Sequence, residues 1–353
     1  MKDSTLLATT ERTSAQIGDT PLVTTYLRIN GFWRPVHLKL EGCNPAGSLK
    51  DRTAANLIHD LENRGVLKHS SIIVESTSGN LGVGLAFLCR ERGYRFLAII
   101  DPKSTLENRR KMQSLGAELE LVEQQDESTG YLPYRLRRVQ ELVRSSSQYI
   151  WTDQYSNPAN PRAHYLSTGP EIYRGMGGRL DAIFVAVSTG GTLAGIGRYL
   201  REVSPATKII AVDACGSVIF GCSSRQRKLV GIGSSRRSNF ITPELYDAHL
   251  LVTEGDAFAL CRQVAAATGI KVGGSSGAVL YACARYLSKH PGMTNVVCLC
   301  PDGGENYSST IFDDGWMREN GFQPEEKVQI VEQIAPTTAE AAQREGALFC
   351  SAD

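Results

Sequence analysis

A regular alternation of short apolar runs and amphipathic stretches constrains the fold of this chain more than any other feature. The apolar runs, such as 71–75, 96–100 and 182–187, have the length of buried strands, and apolar residues recur at helical spacing between them. Short turns rich in Gly and Pro separate the two kinds of segment. This alternation predicts parallel βαβ units, and a chain of 353 residues is long enough to divide into two such domains.

The same patterns place the individual elements along the chain. The predicted strands span 36–40, 71–75, 96–100, 118–122, 182–187, 209–212, 250–252 and 296–300. One predicted helix begins at Lys50, and the others span 81–90, 105–115, 132–143, 163–173, 193–202, 257–267 and 278–288. We predict a short lead-in before the first strand, an irregular active-site segment at 216–248, and a partly helical or loose tail beyond about residue 327.

Lys50 lies where a loop that contains Pro and Gly, Asn44–Leu49, meets an amphipathic pattern. It therefore occupies the N-terminus of a predicted helix, where the positive end of the helix dipole disfavours another cation. A solvated surface lysine is one interpretation of this residue. The other is an amine whose ammonium form is disfavoured, as a lysine that reacts with a carbonyl group requires. Lys50 alone leaves both interpretations open.

Three further loops share one design, in which an apolar strand ends, small residues turn the chain and a helix begins. They are Ser76–Asn80, Ser188–Thr192 and Gly273–Gly277. Their amides and hydroxyls can bind an anion at a helix N-terminus, although capping and tight turns are the simpler explanation for each loop. The Ser188–Thr192 loop is neither a P-loop nor a dinucleotide fingerprint. Together with Lys50, these loops indicate a phosphorylated cofactor that bears an aldehyde, which is pyridoxal phosphate (PLP).

The charge balance and the cysteine pattern narrow the class of protein. Lys and Arg total 38 against 37 for Asp and Glu, which argues against a nucleic-acid partner or a polybasic membrane anchor. No apolar run has the length of a signal-peptide core at the N-terminus or of a transmembrane span elsewhere. The nine cysteines include no CxxC pair and form no ligand pattern with the histidines, so neither disulfides nor a metal site is expected. We expect a soluble, cytoplasmic protein.

Five motifs, taken in order, resemble those of one enzyme family. They are Asn44–Arg52, Glu75–Gly82, Ser188–Thr192, Gly273–Gly277 and Pro301–Tyr307. They make the region from about 15 to 325 similar to the cysteine synthase and cystathionine β-synthase family of PLP enzymes, which have fold type II. The resemblance implies an α/β fold of two three-layer αβα domains with mostly parallel sheets, an active site in the cleft between them, and a homodimer. The smaller, mobile domain would span 45–155, the larger PLP-binding domain 1–44 and 156–326, and a tail 327–353.

The resemblance also implies a role for each motif. Lys50 would bind the cofactor covalently and remove the α-proton of the substrate, and Asn80 would contact the ring oxygen. The phosphate of the cofactor would be bound by Ser188, Thr189, Gly190, Gly191 and Thr192, and the substrate carboxylate by Ser76, Thr77, Ser78 and Gln154. Arg236 is the candidate for binding the leaving group or the second substrate. Gly303 replaces a Ser that contacts the pyridine nitrogen in cysteine synthases, and we expect Ser275 to make that contact instead.

Further stretches are similar, within the family, to those of a synthase that joins O-phospho-L-serine to L-glutamate for the synthesis of 2,3-diaminopropionate. They include 101–103, 153–157, 211–221 and 230–236. The resemblance thus implies a PLP-dependent β-replacement with these two amino acids as substrates, in siderophore or peptide antibiotic biosynthesis. A cysteine synthase that uses O-acetylserine or O-phosphoserine with sulfide is one alternative, and a non-catalytic, partner-binding protein is another. A nicotinamide oxidoreductase is disfavoured because the glycine fingerprint and its acidic ribose residue are absent.

Overall fold

The computed structural model of the chain describes residues 12–126 and 130–335. Within these ranges the backbone forms two sheets, and helices connect most of their strands. The strands are β1 (Leu22–Ile29), β2 (Phe32–Leu40), β3 (Ile72–Ser76), β4 (Arg95–Ile100), β5 (Glu118–Leu121), β6 (Tyr149–Trp151), β7 (Ala182–Ala186), β8 (Lys208–Ala214), β9 (Ala248–Val252), β10 (Val296–Cys300) and β11 (Gln333–Ala335).

The helices begin and end where the local sequence favours it. They are α1 (Lys50–Asn63), α2 (Asn80–Arg92), α3 (Leu106–Ser114), α4 (Leu132–Ser145), α5 (Ala159–Ala163), α6 (Gly169–Gly175), α7 (Gly191–Val203), α8 (Glu254–Thr268), α9 (Gly274–Leu287) and α10 (Asp314–Glu319). At the start of α8 the Thr253 hydroxyl accepts a hydrogen bond from the Asp256 amide. The helix ends at Gly269, whose φ of 75° is left-handed.

The first sheet has four strands in the order β5-β4-β3-β6, all parallel. Successive residues of a strand point to opposite faces. Ile73, Phe96 and Ala98 therefore pack against α1 and α2 on one face. Val74 and Ile99 pack against α4 on the other face. Both faces are covered by helices, as parallel sheets require, and the unit has three αβα layers.

The second sheet has seven strands in the order β11-β1-β2-β10-β7-β8-β9. Five neighbouring strands of this sheet run parallel, in the order β2, β10, β7, β8 and β9. Strand β1 pairs antiparallel with β2 and with β11. Phe184 and Cys298 pack against α8 and α9 on one face. Ile183 and Val297 pack against α6 and α7 on the other face. The fold expected from the sequence, two αβα units with mostly parallel sheets, is thereby confirmed.

The loop that carries Lys50 connects the two sheets. The Leu49 amide donates to the Pro301 carbonyl over 2.7 Å, and Ser48 pairs with Asp302 in an isolated antiparallel bridge. The start of α1, on the four-stranded sheet, is therefore joined to the carboxyl end of β10 in the other sheet. The carboxyl ends of parallel strands are where open α/β sheets bind ligands.

Most predicted elements are confirmed, with four exceptions. The predicted lead-in contains the eight-residue strand β1, and β6 has no counterpart among the predicted strands. The helix predicted at 163–173 is divided into α5, a π-helical turn at His164–Thr168 and α6. The tail, predicted to be helical or loose, forms strand β11 at 333–335, and its remainder, 336–353, lies outside the described residues. The segment 216–242 is irregular apart from turns, as expected.

The sheets draw on separate parts of the described chain. The four-stranded sheet uses residues 72–151, and the seven-stranded sheet uses 22–40, 182–300 and 333–335. The domain boundaries at 45–155 and the mobility of that domain stay a prediction.

A buried group of charges anchors the beginning of α1. The Arg52 guanidinium pairs with Glu41 at 2.7 Å and with Glu171 at 2.5 Å, and its side chain is 2% exposed. Lys39 also pairs with Glu171, at 2.9 Å. Burial raises the pKa of Glu171, but the hydrogen bonds and charges of Arg52 and Lys39 outweigh it and hold this pKa at about 2. Because Glu41 follows β2 and Glu171 lies on α6, the group fixes α1 against the seven-stranded sheet.

Replacing Arg52 by Met is expected to lower the free energy of unfolding by about 3–5 kcal/mol, since two buried carboxylates lose their counter-charge. Urea denaturation measures this loss. Arg95→Met is the matched control, because Arg95 pairs with Glu118 where the two side chains are 60% and 55% exposed. Such surface pairs contribute about 0–1 kcal/mol. Equal losses in the two variants would contradict the role of the buried group.

Candidate active site

Lys50 is the first residue of α1 and lines a cavity of about 170 Å³ between the two sheets, here called the inner cavity. Removal of the side chain from water lowers the pKa of its amine to about 8. An amine with this pKa is uncharged near neutral pH far more often than an ordinary lysine, as attack on an aldehyde requires. The structure therefore favours the second interpretation of Lys50.

The loop that precedes α7 forms a cradle for an anion. Gly190 has a left-handed φ of 87°, and a Cβ at this position would lie 2.2 Å from the Ser238 hydroxyl. A Cβ at Gly191 would lie 2.1 Å from the side-chain oxygen of Asn160, whose amide donates to the Thr189 hydroxyl at 3.3 Å. Both positions therefore require glycine. The positive end of the 13-residue helix α7 lies at this loop, which suits a phosphate group.

Neighbouring residues hold the other hydroxyl groups of this loop. Thr192 shares a hydrogen bond of 3.3 Å with Nε2 of His164. Burial, reinforced by the charge of Lys50, keeps the pKa of His164 well below its ordinary value, so the imidazole is neutral. Ser188 donates to the Gly233 carbonyl at 3.1 Å. These contacts fix the hydroxyl positions before any ligand binds.

Asn80 and Asp302 line the inner cavity together. The Asn80 side-chain amide donates to Asp302 at 2.7 Å, and the Tyr307 hydroxyl donates to the same carboxylate oxygen at 2.7 Å. The Asn80 side-chain carbonyl accepts from Asn306 at 3.3 Å. Burial raises the pKa of Asp302 to about 6, although its two hydrogen bonds oppose the shift. The second amide hydrogen of Asn80 remains available to a ligand.

The loop Ser76–Gly79 lines a second cavity, of about 240 Å³, that adjoins the inner cavity and is here called the middle cavity. The Ser78 hydroxyl accepts from the Arg135 guanidinium at 2.9 Å, so its own hydrogen can be donated to a ligand. The Gln154 side chain donates to the Ser76 carbonyl at 3.0 Å. Hydroxyls, amides and one guanidinium thus face the same space.

Glu75 lies at the end of β3, directly before this loop, and is fully buried. Its carboxylate accepts hydrogen bonds of 2.5–3.2 Å from the amides of Ser76 and Gln154 and from the side chains of Trp151 and Thr152. One carboxylate thereby joins the Ser76–Gly79 loop to the segment that carries Gln154. Burial raises the pKa of Glu75 to about 7 against the effect of these bonds.

Two predicted site residues differ in where the structure places them. Ser275, in the first turn of α9, is buried and lines the inner cavity, whereas Gly303 does not line it. Arg236 lines neither the inner nor the middle cavity. Its guanidinium lies 5.3 Å from the ring centre of Tyr155, which lines the middle cavity. Ser275 thus lines the inner cavity, and Arg236 packs against a residue that lines the middle cavity.

The other predicted site residues converge on the two cavities. Those that line the inner cavity, besides Ser275, are Lys50, Thr77, Asn80, Gln154, Ser188, Thr189, Gly190 and Thr192. The middle cavity adds Ser76 and Ser78, and Gly191 follows Gly190 at the start of α7. A lysine with a lowered pKa and a glycine-lined anion cradle therefore share one space. This donor set fits a phosphorylated aldehyde, with its aldehyde at Lys50 and its phosphate at α7.

Comparison with protein families decides the class of the protein. Residues 13–302 match the model of the pyridoxal-phosphate dependent enzymes. The chain belongs to this family. The PLP cofactor and the enzyme class expected from the sequence are thereby confirmed.

Two curated members of the PLP-dependent enzyme family share much of the sequence. The N-(2-amino-2-carboxyethyl)-L-glutamate synthase of Ralstonia nicotianae is 40% identical over 301 residues, which cover 85% of this chain and 89% of the relative. The enzyme of the same name from Cupriavidus metallidurans is 38% identical over 304 residues, again 85% of this chain and 89% of the relative. Among solved structures, a hydrogen sulfide-producing enzyme from Fusobacterium nucleatum superimposes with a TM-score of 0.78 at 30% identity, covering 83% of this chain and 98% of that one.

Sequence reasoning assigned no role to three residues of this PLP-enzyme site, which are Glu75, Asp302 and Arg135. Glu75 and Asp302 are acidic residues at the ends of buried strands, and that position in a parallel sheet is a signal that could have marked them. Arg135 lies within an amphipathic helix 57 residues from Ser78, and no local pattern distinguishes it from the other arginines of α4.

Residues 12–126 and 130–335 offer neither a metal centre nor a membrane span. No group of three or more His, Cys, Asp or Glu side chains in these ranges is placed to hold a metal ion. No helix there is long and apolar enough to cross a membrane.

Replacing Lys50 by Ala is expected to abolish covalent binding of the cofactor, because no other lysine of the described residues lines the inner cavity. The PLP-loaded protein is treated with borohydride, and its intact mass is measured. The wild type should gain the mass of the reduced cofactor, and Lys50→Ala should not. Lys289→Ala, which changes an exposed lysine after α9, is the control and should keep the adduct. An adduct retained by Lys50→Ala would contradict the assignment.

The raised pKa of Glu75 predicts a pH dependence of stability. The carboxyl titrates near 4.5 in the unfolded chain and at about 7 in the folded protein, so the folded state holds the extra proton between these values. The contribution of Glu75 to the free energy of unfolding therefore falls as the pH rises from 4.5 through 7. Glu75→Gln is expected to make the slope of stability against pH less negative by up to ~1.4 kcal/mol per pH unit.

Urea denaturation at a series of pH values measures this slope. Glu118→Gln, which removes an exposed carboxyl of β5, is the control for the loss of one carboxyl group outside the buried site. If Glu75→Gln keeps the wild-type slope, the carboxyl of Glu75 does not titrate as its burial predicts.

Proposed function

We propose that this PLP enzyme joins O-phospho-L-serine to L-glutamate and produces N-(2-amino-2-carboxyethyl)-L-glutamate and inorganic phosphate. The observation that carries the proposal is the 40% identity, over 85% of the chain, with a relative named for this product. The site supports it, because a lysine amine, an anion cradle and a hydroxyl-rich loop lie in adjoining cavities.

The proposed reaction is a β-replacement without any change of oxidation state overall. The bond between Cβ of phosphoserine and its phosphate oxygen breaks, and the phosphate leaves with the electron pair. A new bond then forms between this carbon and the amino nitrogen of glutamate. The α-proton is removed before the phosphate leaves and is returned at the end, and the attacking amine loses one proton.

Lys50 has two tasks in this scheme. PLP, when bound, supplies an electron sink that makes the α-proton of an amino acid acidic. Lys50 binds the cofactor and, after the amine of the substrate has displaced it, takes the α-proton. Its pKa of about 8 leaves part of the amine uncharged at neutral pH, so that it can act first as a nucleophile and then as a base. The Lys50 ammonium later returns the proton to the same carbon.

The cavity in which each residue lies supports its predicted role. The α-carboxylate of the substrate would be bound by Ser76, Thr77, Ser78 and Gln154, beside the N-terminus of α2. Asn80 would donate to the ring oxygen while Asp302 holds its amide, and Ser275 would contact the ring nitrogen. The cradle before α7 would bind the phosphate of the cofactor.

Arg135 is placed to bind the phosphate that leaves the substrate. It donates to Ser78 at 2.9 Å, pairs with Asp101 at 3.1 Å and lines the middle cavity. A guanidinium group binds phosphate through two parallel hydrogen bonds. Arg236, predicted for this task, instead lies against Tyr155, and its direct contact with a substrate stays a prediction.

Closure of the domain at 45–155 over the substrate is part of the proposal. Lys111 on α3 donates to Asn306 at 2.5 Å, a contact between that domain and the remainder of the chain. Closing the cleft excludes water, which otherwise competes with glutamate for the reactive carbon.

We also propose a cytoplasmic homodimer. The cysteines of the described residues are all free thiols, which suits a reducing compartment. The dimer is proposed because of the resemblance to the cysteine synthase family.

Cysteine synthesis is the second candidate function. It rests on the resemblance of the five motifs to the cysteine synthase family, and a solved enzyme with 30% identity is named for producing hydrogen sulfide rather than for using it. The two reactions share every step up to the loss of the leaving group and differ in the acceptor, which is sulfide in one and an amine in the other. A non-catalytic protein is disfavoured because Lys50, Asn80 and Gln154 all line one cavity.

The proposal predicts that sustained release of phosphate from O-phospho-L-serine requires L-glutamate. A phosphate assay on the PLP-loaded enzyme compares glutamate, sulfide and no acceptor. Glutamate should support turnover, because its amine completes the reaction and frees the site. Lys50→Ala is expected to lower the rate by about 10³-fold or more, since the proton acceptor is lost.

Turnover with sulfide but not with glutamate would identify a cysteine synthase and contradict the proposal. O-acetyl-L-serine serves as the comparison donor, and a strong preference for it would show that the phosphate is not recognised. Protein that holds PLP yet releases no phosphate with either acceptor would favour the non-catalytic alternative.

A further inference from the structure

A third cavity, of about 290 Å³, adjoins the middle cavity and is here called the outer chamber. Its walls come mainly from the segments 130–135 and 224–235, together with Lys103. It shares seven residues with the middle cavity, among them Lys103, Arg135 and Tyr155, so a ligand in the chamber lies beside the bound substrate. Arg225 and Arg227 line the chamber and not the middle cavity. The roles proposed above assign no ligand to Lys103, Arg225 and Arg227, which lie on its walls.

The described walls of the outer chamber carry an excess of positive charge. They include four basic side chains against two acidic ones. Arg135 and Asp101 neutralise each other in a salt bridge of 3.1 Å. Lys103 and Arg225 are exposed, and neither takes part in any salt bridge between residues that the structure describes. The chamber therefore attracts an anion.

Arg227 gives the chamber a fixed basic wall. Its guanidinium donates a hydrogen bond to the Gly216 carbonyl. It also packs closely against Gly233, where an added Cβ would lie 3.1 Å from Nε of Arg227. Burial lowers the pKa of Arg227, and the charges of Asp213 and Glu254 oppose that shift. Because an arginine side chain stays protonated in proteins, this half-buried group keeps its charge at the chamber wall.

These features match the acceptor of the proposed function, on which this inference rests. Glutamate brings an amine that must reach the reacting carbon and two carboxylates that need cationic partners, whereas sulfide brings neither. The amine has to point towards the middle cavity. The side-chain carboxylate is the end of the molecule farther from that amine, so it lies towards the exposed outer wall.

We propose that the outer chamber binds the acceptor, a dicarboxylic amino acid, and that Lys103 and Arg225 bind its side-chain carboxylate. Arg227 completes the wall, and its hydrogen bond to Gly216 holds the irregular segment that carries Arg225. A neutral analogue such as glutamine loses these charge-assisted hydrogen bonds and binds more weakly.

The test compares Lys103→Gln and Arg225→Gln with the wild type, all as PLP-loaded enzymes. Both side chains are exposed, so neither change disturbs the fold. Each is expected to raise KM for glutamate about tenfold, because a hydrogen bond to a charged group is lost. KM for O-phospho-L-serine should stay unchanged in Arg225→Gln, because Arg225 lines the outer chamber and not the middle cavity. The wild type should prefer glutamate to glutamine, and both variants should lose most of that preference.

Lys228→Gln is the matched control. Lys228 is also an exposed basic residue of the same segment, but it does not line the outer chamber. The control should therefore keep the wild-type KM for glutamate and the wild-type preference over glutamine.

The outcomes separate this inference from the proposed function. If Lys103→Gln and Arg225→Gln keep the wild-type KM for glutamate and the preference over glutamine, the inference is wrong and the proposed function stands. If KM for O-phospho-L-serine rises instead in Arg225→Gln, the chamber binds the phosphate of the first substrate, and the inference is again wrong. If the wild type forms product with sulfide and none with glutamate, the proposed function fails, and the inference fails with it.

Discussion

The buried contact of Arg52 with Glu41 and Glu171 is the interaction on which the geometry of the site depends. Arg52 lies two residues after Lys50 on α1, so the contact that holds the guanidinium also fixes where the lysine amine lies. The two acids belong to elements that pack with the seven-stranded sheet, whereas α1 packs on the four-stranded one. Buried ion pairs often add no more stability than apolar contacts would. Here they join the two sheets at the lysine, and the cleft between the sheets takes its shape from that junction.

Charge is distributed unevenly along this cleft. At its inner end, burial lowers the pKa of Lys50 to about 8 and raises that of Asp302 to about 6, which favours the uncharged form of both groups. The cradle before α7 adds amide dipoles rather than a full charge. At the outer end, basic side chains outnumber acidic ones. This arrangement suits a reaction that needs a neutral amine at the inner end of the cleft. The leaving group and the acceptor of such a reaction are anions, which pass through the outer end.

The local design of the site was predictable from the sequence, and its long-range contacts were not. Lys50 and the loop Ser188–Thr192 were recognisable because small residues and a helix start follow each other directly in the chain. Asp302 holds Asn80 from 222 residues away, and no local pattern encodes such a pair. Strand β11 was missed for the same reason, since it exists only by pairing with β1 near the other end of the chain. Arg236 was chosen by residue type alone. Its guanidinium lies 5.3 Å from the ring centre of Tyr155, and its contact with a substrate stays a prediction.

The most direct test of the central claim is the mass of the product that PLP-loaded enzyme makes from O-phospho-L-serine and glutamate labelled with heavy nitrogen. The account predicts one product that keeps the label. Its mass should equal the sum of the two substrates less one phosphoric acid, because the nitrogen of glutamate takes the place of the phosphate. Phosphate release that yields no labelled product, or a sulfur-containing amino acid formed from added sulfide while glutamate stays unchanged, would contradict it.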